Sequence, residues 1–207
     1  MALKTRRPAK RRLPPEARRQ ALLDVAARLT LAQGFLPLPL EAFAKSAGVS
    51  KALLYVYFPT QHDLFNALLE RAIADLQAAG LEAASKTGDL ETRACACADL
   101  YFRYVARNGP LLHIILRDRF MAGNVGTGTA RARDRVVREL TREVRRRHGL
   151  RAREAVAAVS IAIALPEECG RLTFHGDIEV ERGAELCRQL TLGAIDALTR
   201  SSAQLAG

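Results

Sequence analysis

From Glu16 to Gln33 the apolar positions Leu22, Val25, Ala26 and Leu29 recur at i, i+3, i+4 and i+7, one face of a helix that Gly34 ends. Pro14 and Pro15 suit its first turn. Phe35 to Leu40 reads FLPLPL, whose two prolines forbid a continued helix and predict an extended crossing. Glu41 to Gly48 is a second, short helix closed by its glycine. Ser50 then caps a third that runs to about Tyr57 and is stopped by Pro59. Thr60 and Asp63 form a capping-box-like start for a fourth helix, with Leu64, Ala67, Leu68 and Ile73 on one face.

Beyond Gly88 the periodicity stays helical. It predicts helices over Asp89 to Asn108, Pro110 to Met121 with the proline in first position, Arg131 to His148, Arg153 to about Phe174, and Arg182 to about Ser201. The glycine-rich stretch Ala122 to Ala130 lacks the Gly-Lys-Ser/Thr ending of a phosphate cradle and follows no strand, so it reads as a connector. In the arginine-rich helix Asp134/Arg138 and Glu143/Arg147 stand four apart, the pattern of a solvated, ion-paired face. The run AVAAVSIAIAL is apolar nearly all round and predicts burial on several sides, with a second subunit as one neighbour. Pro166 inside the same run either kinks the helix or ends it. Nothing alternates with period two over a useful length, so the expected fold class is all-α.

Composition sharpens the picture in two places. The net charge is +10, and residues 1–20 hold Lys4, Arg6, Arg7, Lys10, Arg11, Arg12, Arg18 and Arg19 against Glu16 alone. Such an arm ahead of a nearly balanced body suits a polyanion, because each cation meeting a phosphate releases counterions. A purely solubilising arm, or one lying on anionic membrane, fits the same composition. The four cysteines include no CxxC and have no histidines at finger spacing, so neither a zinc site nor a disulfide framework is signalled. Glu167, Glu168, Cys169 and His175 carry metal-capable groups without the i, i+4 pairing a helix-borne site needs. No metal and no cofactor is expected. No nucleophile elbow, spaced acid/base pair or cofactor fingerprint supports an enzyme. Without an apolar run of 18 residues or a secretory leader, a soluble cytoplasmic protein with no membrane partner is expected.

The second and third helices, joined by Ala47-Gly48-Val49-Ser50, meet the physical requirement of a helix-turn-helix: a glycine turn sets two short helices at a steep angle, and apolar residues lock them. Phe43, Ala44, Val49, Leu54 and Phe58 can form the lock, while Ala52 and Val56 point away from it. Over residues 20 to 69, through ALLDVAARLTLAQGF and FAKSAGVSKALLYVYFPTQHDLFNALL, the chain resembles the TetR family of bacterial transcription regulators. The resemblance implies a three-helix helix-turn-helix domain joined by a fourth helix to a larger helical ligand-binding and dimerisation domain. It divides the chain into a basic arm at 1–19, a DNA-binding domain at 20–66 and the larger domain at 67–207. It further implies a homodimeric regulator on double-stranded operator DNA, most often a repressor released by a small organic effector. A low-specificity DNA-binding helical protein without small-molecule regulation is the alternative.

Carried over by position, the resemblance implies that Lys51, Ala52 and Tyr55 face the major groove, with Ser50 opening the helix and Leu53 and Val56 at the groove edge. Tyr57 bonds a phosphate through its hydroxyl, and the amides near Thr60 and Gln61 meet another. The chain departs from the family at Leu38-Pro39, at Leu53 and at Gln61, where threonine, threonine and lysine are usual; each departure removes a phosphate or base partner. Lys51 can reach guanine O6/N7, and Ala52, Leu53 or Val56 can touch thymine methyls. Arg6, Arg7, Lys10, Arg11 and Arg12 of the arm supply phosphate or minor-groove contacts.

For the effector, the resemblance points to a pocket between about Asp89 and Phe174. Its candidate lining is Tyr101, Tyr104, Leu112, His113, Leu116, Phe120 and Phe174, with Arg103, Arg117 and Glu167 as polar anchors. The dimerisation candidates are Val159, Ile163, Leu186, Leu190, Ala194 and Leu198.

Overall fold

The computed structural model describes residues 14–205, with side chains up to residue 200. The arm candidates Arg6, Arg7, Lys10, Arg11 and Arg12 lie outside the described residues. Among the described residues the regular structure is entirely helical. In order it comprises α1 (Pro15–Gln33), α2 (Leu40–Ala47), α3 (Lys51–Tyr57), α4 (Gln61–Ala78), α5 (Leu81–Ala84), α6 (Leu90–Asn108) and α7 (Leu111–Arg117). A 3-10 turn (Arg119–Met121) follows, then α8 (Thr127–His148), α9 (Ala152–Ala162), α10 (Ala164–His175) and α11 (Val180–Leu205).

The first four helices start and stop where local chemistry directs. Ser50 Oγ accepts the Leu53 amide at 3.2 Å to open α3. Thr60 and Asp63 close a full capping box at the start of α4. Later elements differ from the sequence expectation. The single-turn helix α5 was not expected. Pro110 precedes α7 instead of occupying its first position, and the run to Met121 breaks at Asp118. Both carboxylate oxygens of Asp118 are engaged there, one by the Leu36 amide at 2.8 Å and the other by the Phe120 amide at 2.9 Å. The glycine-rich connector is shorter than expected because α8 begins at Thr127. The ion pairs of α8 are also different. Glu143, nearly buried, takes Arg146 at 2.5 Å and Arg93 at 3.5 Å, while Arg147 reaches across to Glu91 at 2.7 Å. Arg146 of α8 and Arg93 of α6 thus take Glu143, and Glu91 of α6 takes Arg147, in place of the Glu143/Arg147 pair.

The apolar run after Arg153 is two helices rather than one. Pro166 is the third residue of α10 and has no N–H to give the Ala162 carbonyl, so the hydrogen-bond ladder is interrupted just where α9 ends. Nor is α9 buried all round. Ala155 and Val159 point inward, whereas Val156 is 47% and Ile161 72% exposed.

One apolar cluster fills the head formed by α1 to α4 and extends beyond it. It joins Leu22, Leu23 and Ala26 of α1, Phe43, Leu54 and Phe58, and Leu64, Phe65, Leu68 and Leu69 of α4 to Leu111, Leu112, Ile115 and Met121. The head therefore shares its core with α7 and the 3-10 turn. A second cluster holds Leu90, Cys97, Leu140, Val144, Ala155, Val159 and Ile195, and a third Ala98, Phe102, Cys169 and Cys187. Around the third cluster α6, α10 and α11 approach closely on two glycines. A Cβ on Gly170 would lie 2.6 Å from Val105 Cβ, and one on Gly183 only 2.5 Å from Thr173 Oγ1. Among the described residues no helix is long and apolar enough to cross a membrane.

Candidate nucleic-acid interface

The turn between α2 and α3 depends on Gly48, whose φ of 64° lies in the left-handed region that glycine enters without a Cβ clash. Its amide bonds the Lys45 carbonyl at 3.1 Å and the Val49 amide bonds Ala44 at 3.0 Å, so α2 is sealed and the chain redirected. Leu54 and Phe58 are buried with Phe43, and the Arg19 guanidinium sits 5.5 Å from the Phe58 ring centroid. That lock leaves the opposite face of α3 bare. Lys51 and Ala52 are exposed, Tyr55 is 48% and Val56 75% exposed, Leu53 is half-buried at the edge, and Ser50 caps the helix from the surface. Tyr57 is half-buried against the core. Lys51 is not unpaired: its Nζ lies 2.6 Å from Glu41 Oε1, at the start of α2. The Lys51 ammonium, through its hydrogen bond and then its charge, holds the Glu41 carboxyl below the usual carboxylate value.

The first turn of α4 is arranged differently from the sequence expectation. Thr60 donates both its amide, at 2.9 Å, and its hydroxyl, at 2.8 Å, to Asp63 Oδ2. Its amide is therefore occupied by a carboxylate. The amides of Gln61 and His62, which lack intrahelical acceptors, are the ones that open the helix. The Gln61 side chain is turned inward. Its Oε1 accepts the Leu38 amide at 2.9 Å and its Nε2 donates to the Leu38 carbonyl at 3.0 Å. Sequence reasoning missed this clip, although a signal exists: Leu38 lies between two prolines, outside any helix, so its backbone groups need side-chain partners once buried.

A second set of bonds fastens residues 118–126 to the head. Asp118 holds the Leu36 amide. The His62 ring stacks on Phe120 with centroids 4.2 Å apart, and its Nε2 is 3.0 Å from the Phe120 carbonyl. A carbonyl only accepts, so Nε2 carries the proton. Asn66 donates to the Asn124 carbonyl at 2.9 Å and accepts the Gly126 amide at 2.8 Å.

Of the effector candidates the structure brings three together. Tyr101 donates its hydroxyl to Glu167 Oε2 at 3.3 Å, and His113 Nδ1 contacts Glu167 Oε1. Burial, then the Glu167 charge, pushes the Tyr101 phenol upward; burial pushes Tyr104 up to about 12. The others disperse. Leu112 is core, and Leu116 and Phe120 pack against the same cluster at the head. Arg117 is exposed, and Phe174 is 37% exposed beside Gly109. Arg103 pairs with Asp99 at the edge of a cleft of about 390 Å³ between α6 and α11, also lined by Cys95, Glu181, Cys187 and Arg188. Sequence reasoning did not name that cleft. The four cysteines are free, with burial pushing the Cys97 thiol up to about 11 and Cys187 to about 12. Among the described residues no three His, Cys, Asp or Glu side chains are grouped to hold a metal.

The dimerisation candidates divide as well. Val159 is buried in the second cluster, and Ile163 and Leu198 pack against it, so these three stabilise the protomer itself. Leu190 is 47% exposed, with Leu186 and Ala194 partly so. Val156, Ile161 and Val180, absent from the expectation, are exposed together with Leu190 and Phe174 on the described parts of the last three helices.

Residues 22–68, which run from α1 into α4, match the family described as bacterial regulatory proteins, tetR family. Over 199 residues the chain is 26% identical to the HTH-type transcriptional activator FasR of Mycolicibacterium smegmatis, covering 92% of this chain and 89% of that protein. Among solved structures it is similar to a TetR-like transcriptional regulator from Rhodococcus sp. RHA1 (TM-score 0.65, 23% identity, 87% of this chain and 97% of that one). It is also similar to the transcriptional regulator FadR from Bacillus subtilis in complex with stearoyl-CoA (TM-score 0.63, 15% identity, 87% and 97%). The exposed helix α3, its glycine-turned lock and these likenesses converge on one segment: residues 22–68 match the helix-turn-helix part of the tetR family of bacterial regulatory proteins, and the rest of the chain shares the fold of such regulators.

Proposed function

We propose that the protein is a ligand-responsive transcription regulator that binds operator DNA as a homodimer and changes its affinity for that DNA when a small organic effector binds. The observation that carries this reading is α3: its inner face is locked into the core while Lys51, Ala52, Tyr55 and Val56 stand outward together. A helix stripped of core duties on one face and held rigidly by its neighbour suits major-groove insertion. No Arg, Asn or Gln stands on α3 to read a base edge bidentately, so methyl contacts, DNA shape and the basic arm carry much of the discrimination.

Coupling to the effector runs through the shared core and the bonds from Asp118, Phe120, Asn124 and Gly126 to Leu36, His62 and Asn66. A ligand that binds one placement of α7 better than another shifts the head by that difference in affinity and no more. Tyr101, His113 and Glu167 are the proposed polar end of its site. The outward residues Val156, Ile161 and Leu190 are the proposed centre of the subunit contact. Release from the operator makes the protein a repressor; the likeness to a named activator, FasR, favours the opposite sign as a second reading.

The test is a mobility shift of the protein's own upstream region, repeated with candidate effectors. Stearoyl-CoA is a first probe because a similar fold is solved with it. Binding altered by an effector at constant salt supports the reading. Absence of any shift on that DNA, across a range of salt, contradicts it, and transcription in vitro separates repression from activation.

A further inference from the structure

Within the reading surface a carboxylate stands where a polyanion would approach. Glu41 lies in the first turn of α2, with 83% of its side chain exposed, and its Oε1 is 2.6 Å from Lys51 Nζ, whose side chain is 49% exposed. Both residues stay at the surface, and Lys51 is the one cation on α3. A surface pair of this kind adds little stability, and an acid in the first turn would favour the helix dipole wherever it pointed. Its reach across to the neighbouring helix is what needs a reason.

We infer that Glu41 sets the selectivity of the reading head by keeping Lys51 aimed at base edges and away from phosphates. This rests on the DNA-binding reading above. An ammonium has three N–H donors and no acceptors. While one proton stays on Glu41, the others remain available to the O6 and N7 acceptors of a guanine in the groove. On random sequence the same lysine finds its best partner in a phosphate. To reach it fully it must leave Glu41, which then faces the backbone as an uncompensated negative charge. Glu41 therefore opposes the sequence-independent part of binding and spares the sequence-dependent part, which is discrimination by a repulsive element. Because the sequence-independent part carries the salt dependence, the two parts can be read separately.

The experiment measures affinity of the full-length protein for its operator and for a random duplex of equal length, by anisotropy, at several salt concentrations. Glu41→Gln is expected to raise random-DNA affinity by about three- to tenfold and to steepen its salt slope by up to about one, the slope contributed by one further phosphate contact. Operator affinity is expected to stay within about twofold, so the operator-to-random ratio falls. In a Lys51→Gln background the same Glu41 change is expected to move both affinities equally, since the pair is already broken. Equal gains on both duplexes in the Lys51-containing protein overturn the inference and leave Glu41 a general repulsive charge; no change on either overturns it as well. Failure of the unaltered protein to bind any duplex is a different result and refutes the DNA-binding reading itself. Thermal midpoints of all variants, expected to stay close together, identify any effect that comes from loss of α2.

Discussion

Replacing Gln61 with alanine tests whether this residue is a structural clip and not a phosphate ligand. Its amide satisfies both backbone groups of Leu38, and Leu38 is only 2% exposed. Removing the side chain therefore orphans one buried N–H and one buried C=O between two prolines that leave no local alternative. A buried polar group without a partner costs about 1–3 kcal/mol. The truncation also opens space through which water can reach part of the gap, so the expected loss for the two groups together is about 2 kcal/mol. For a chain of this size each kcal/mol moves the thermal midpoint by about 2–4 °C, so the midpoint should drop by about 4–8 °C. The assay is urea unfolding followed by circular dichroism at fixed protein concentration, with a thermal scan beside it. Gln61→Lys extends the test. It loses the same clip, so stability should fall similarly, while a cation at the start of α4 should strengthen binding to random DNA. A loss below about 0.5 kcal/mol in the alanine variant, or unchanged stability in the lysine variant, would refute the structural role.

Other consequences can be measured independently. His148 is buried at the end of α8, its Nε2 has no partner, and burial followed by the Arg147 charge lowers its pKa below the ordinary 6.5, with Glu91 opposing. The unfolded chain then binds more protons between that lowered value and 6.5, so the stabilisation is complete above 6.5 and lost as pH falls through the lowered value. The urea midpoint should drop from pH 7.5 to pH 5.5, less so in His148→Leu; an equal drop in the variant would exclude this histidine as the cause. Leu190→Glu or Ile161→Glu should give a folded monomer with little operator affinity in sedimentation, and an unchanged sedimentation coefficient would place the subunit contact elsewhere. Deleting residues 2–12 should weaken operator binding strongly and flatten its salt dependence; the same affinity and slope would show that the arm makes no phosphate contact.

The reading head was legible because its signals are local. Ser50, Thr60 with Asp63, Gly34, Gly48 and the prolines each act within a few residues of their own position, and the structure starts or ends a helix at each. The resemblance carried by the same stretch sets Lys51, Ala52 and Tyr55 toward the groove with Leu53 and Val56 at its edge; Lys51, Ala52, Tyr55 and Val56 are exposed and Leu53 is half-buried. What escaped the sequence is non-local. Asp118 breaks the helix before the 3-10 turn while holding Leu36, and Gln61 turns inward to Leu38; neither partner is within hydrogen-bonding reach along the chain. In α9 the apolar residues surround the helix, so periodicity sets no phase, and Val159 was assigned outward when Val156 and Ile161 are the exposed ones. The effector candidates suffered similarly: aliphatic and aromatic residues at helical spacing fill a core as readily as they line a pocket, and Leu112, Leu116 and Phe120 pack into or against the core.

The central claim is that the outward face of α3 reads operator DNA. Its most direct test compares the protein with a Lys51→Ala/Tyr55→Ala double variant on the operator and on random duplex at one salt concentration. The unaltered protein should favour the operator by a factor on the order of 10³ or more, and the variant should lose most of that ratio while keeping its thermal midpoint. An unaltered protein that binds both duplexes equally, or a folded variant that keeps the full ratio, would contradict the account.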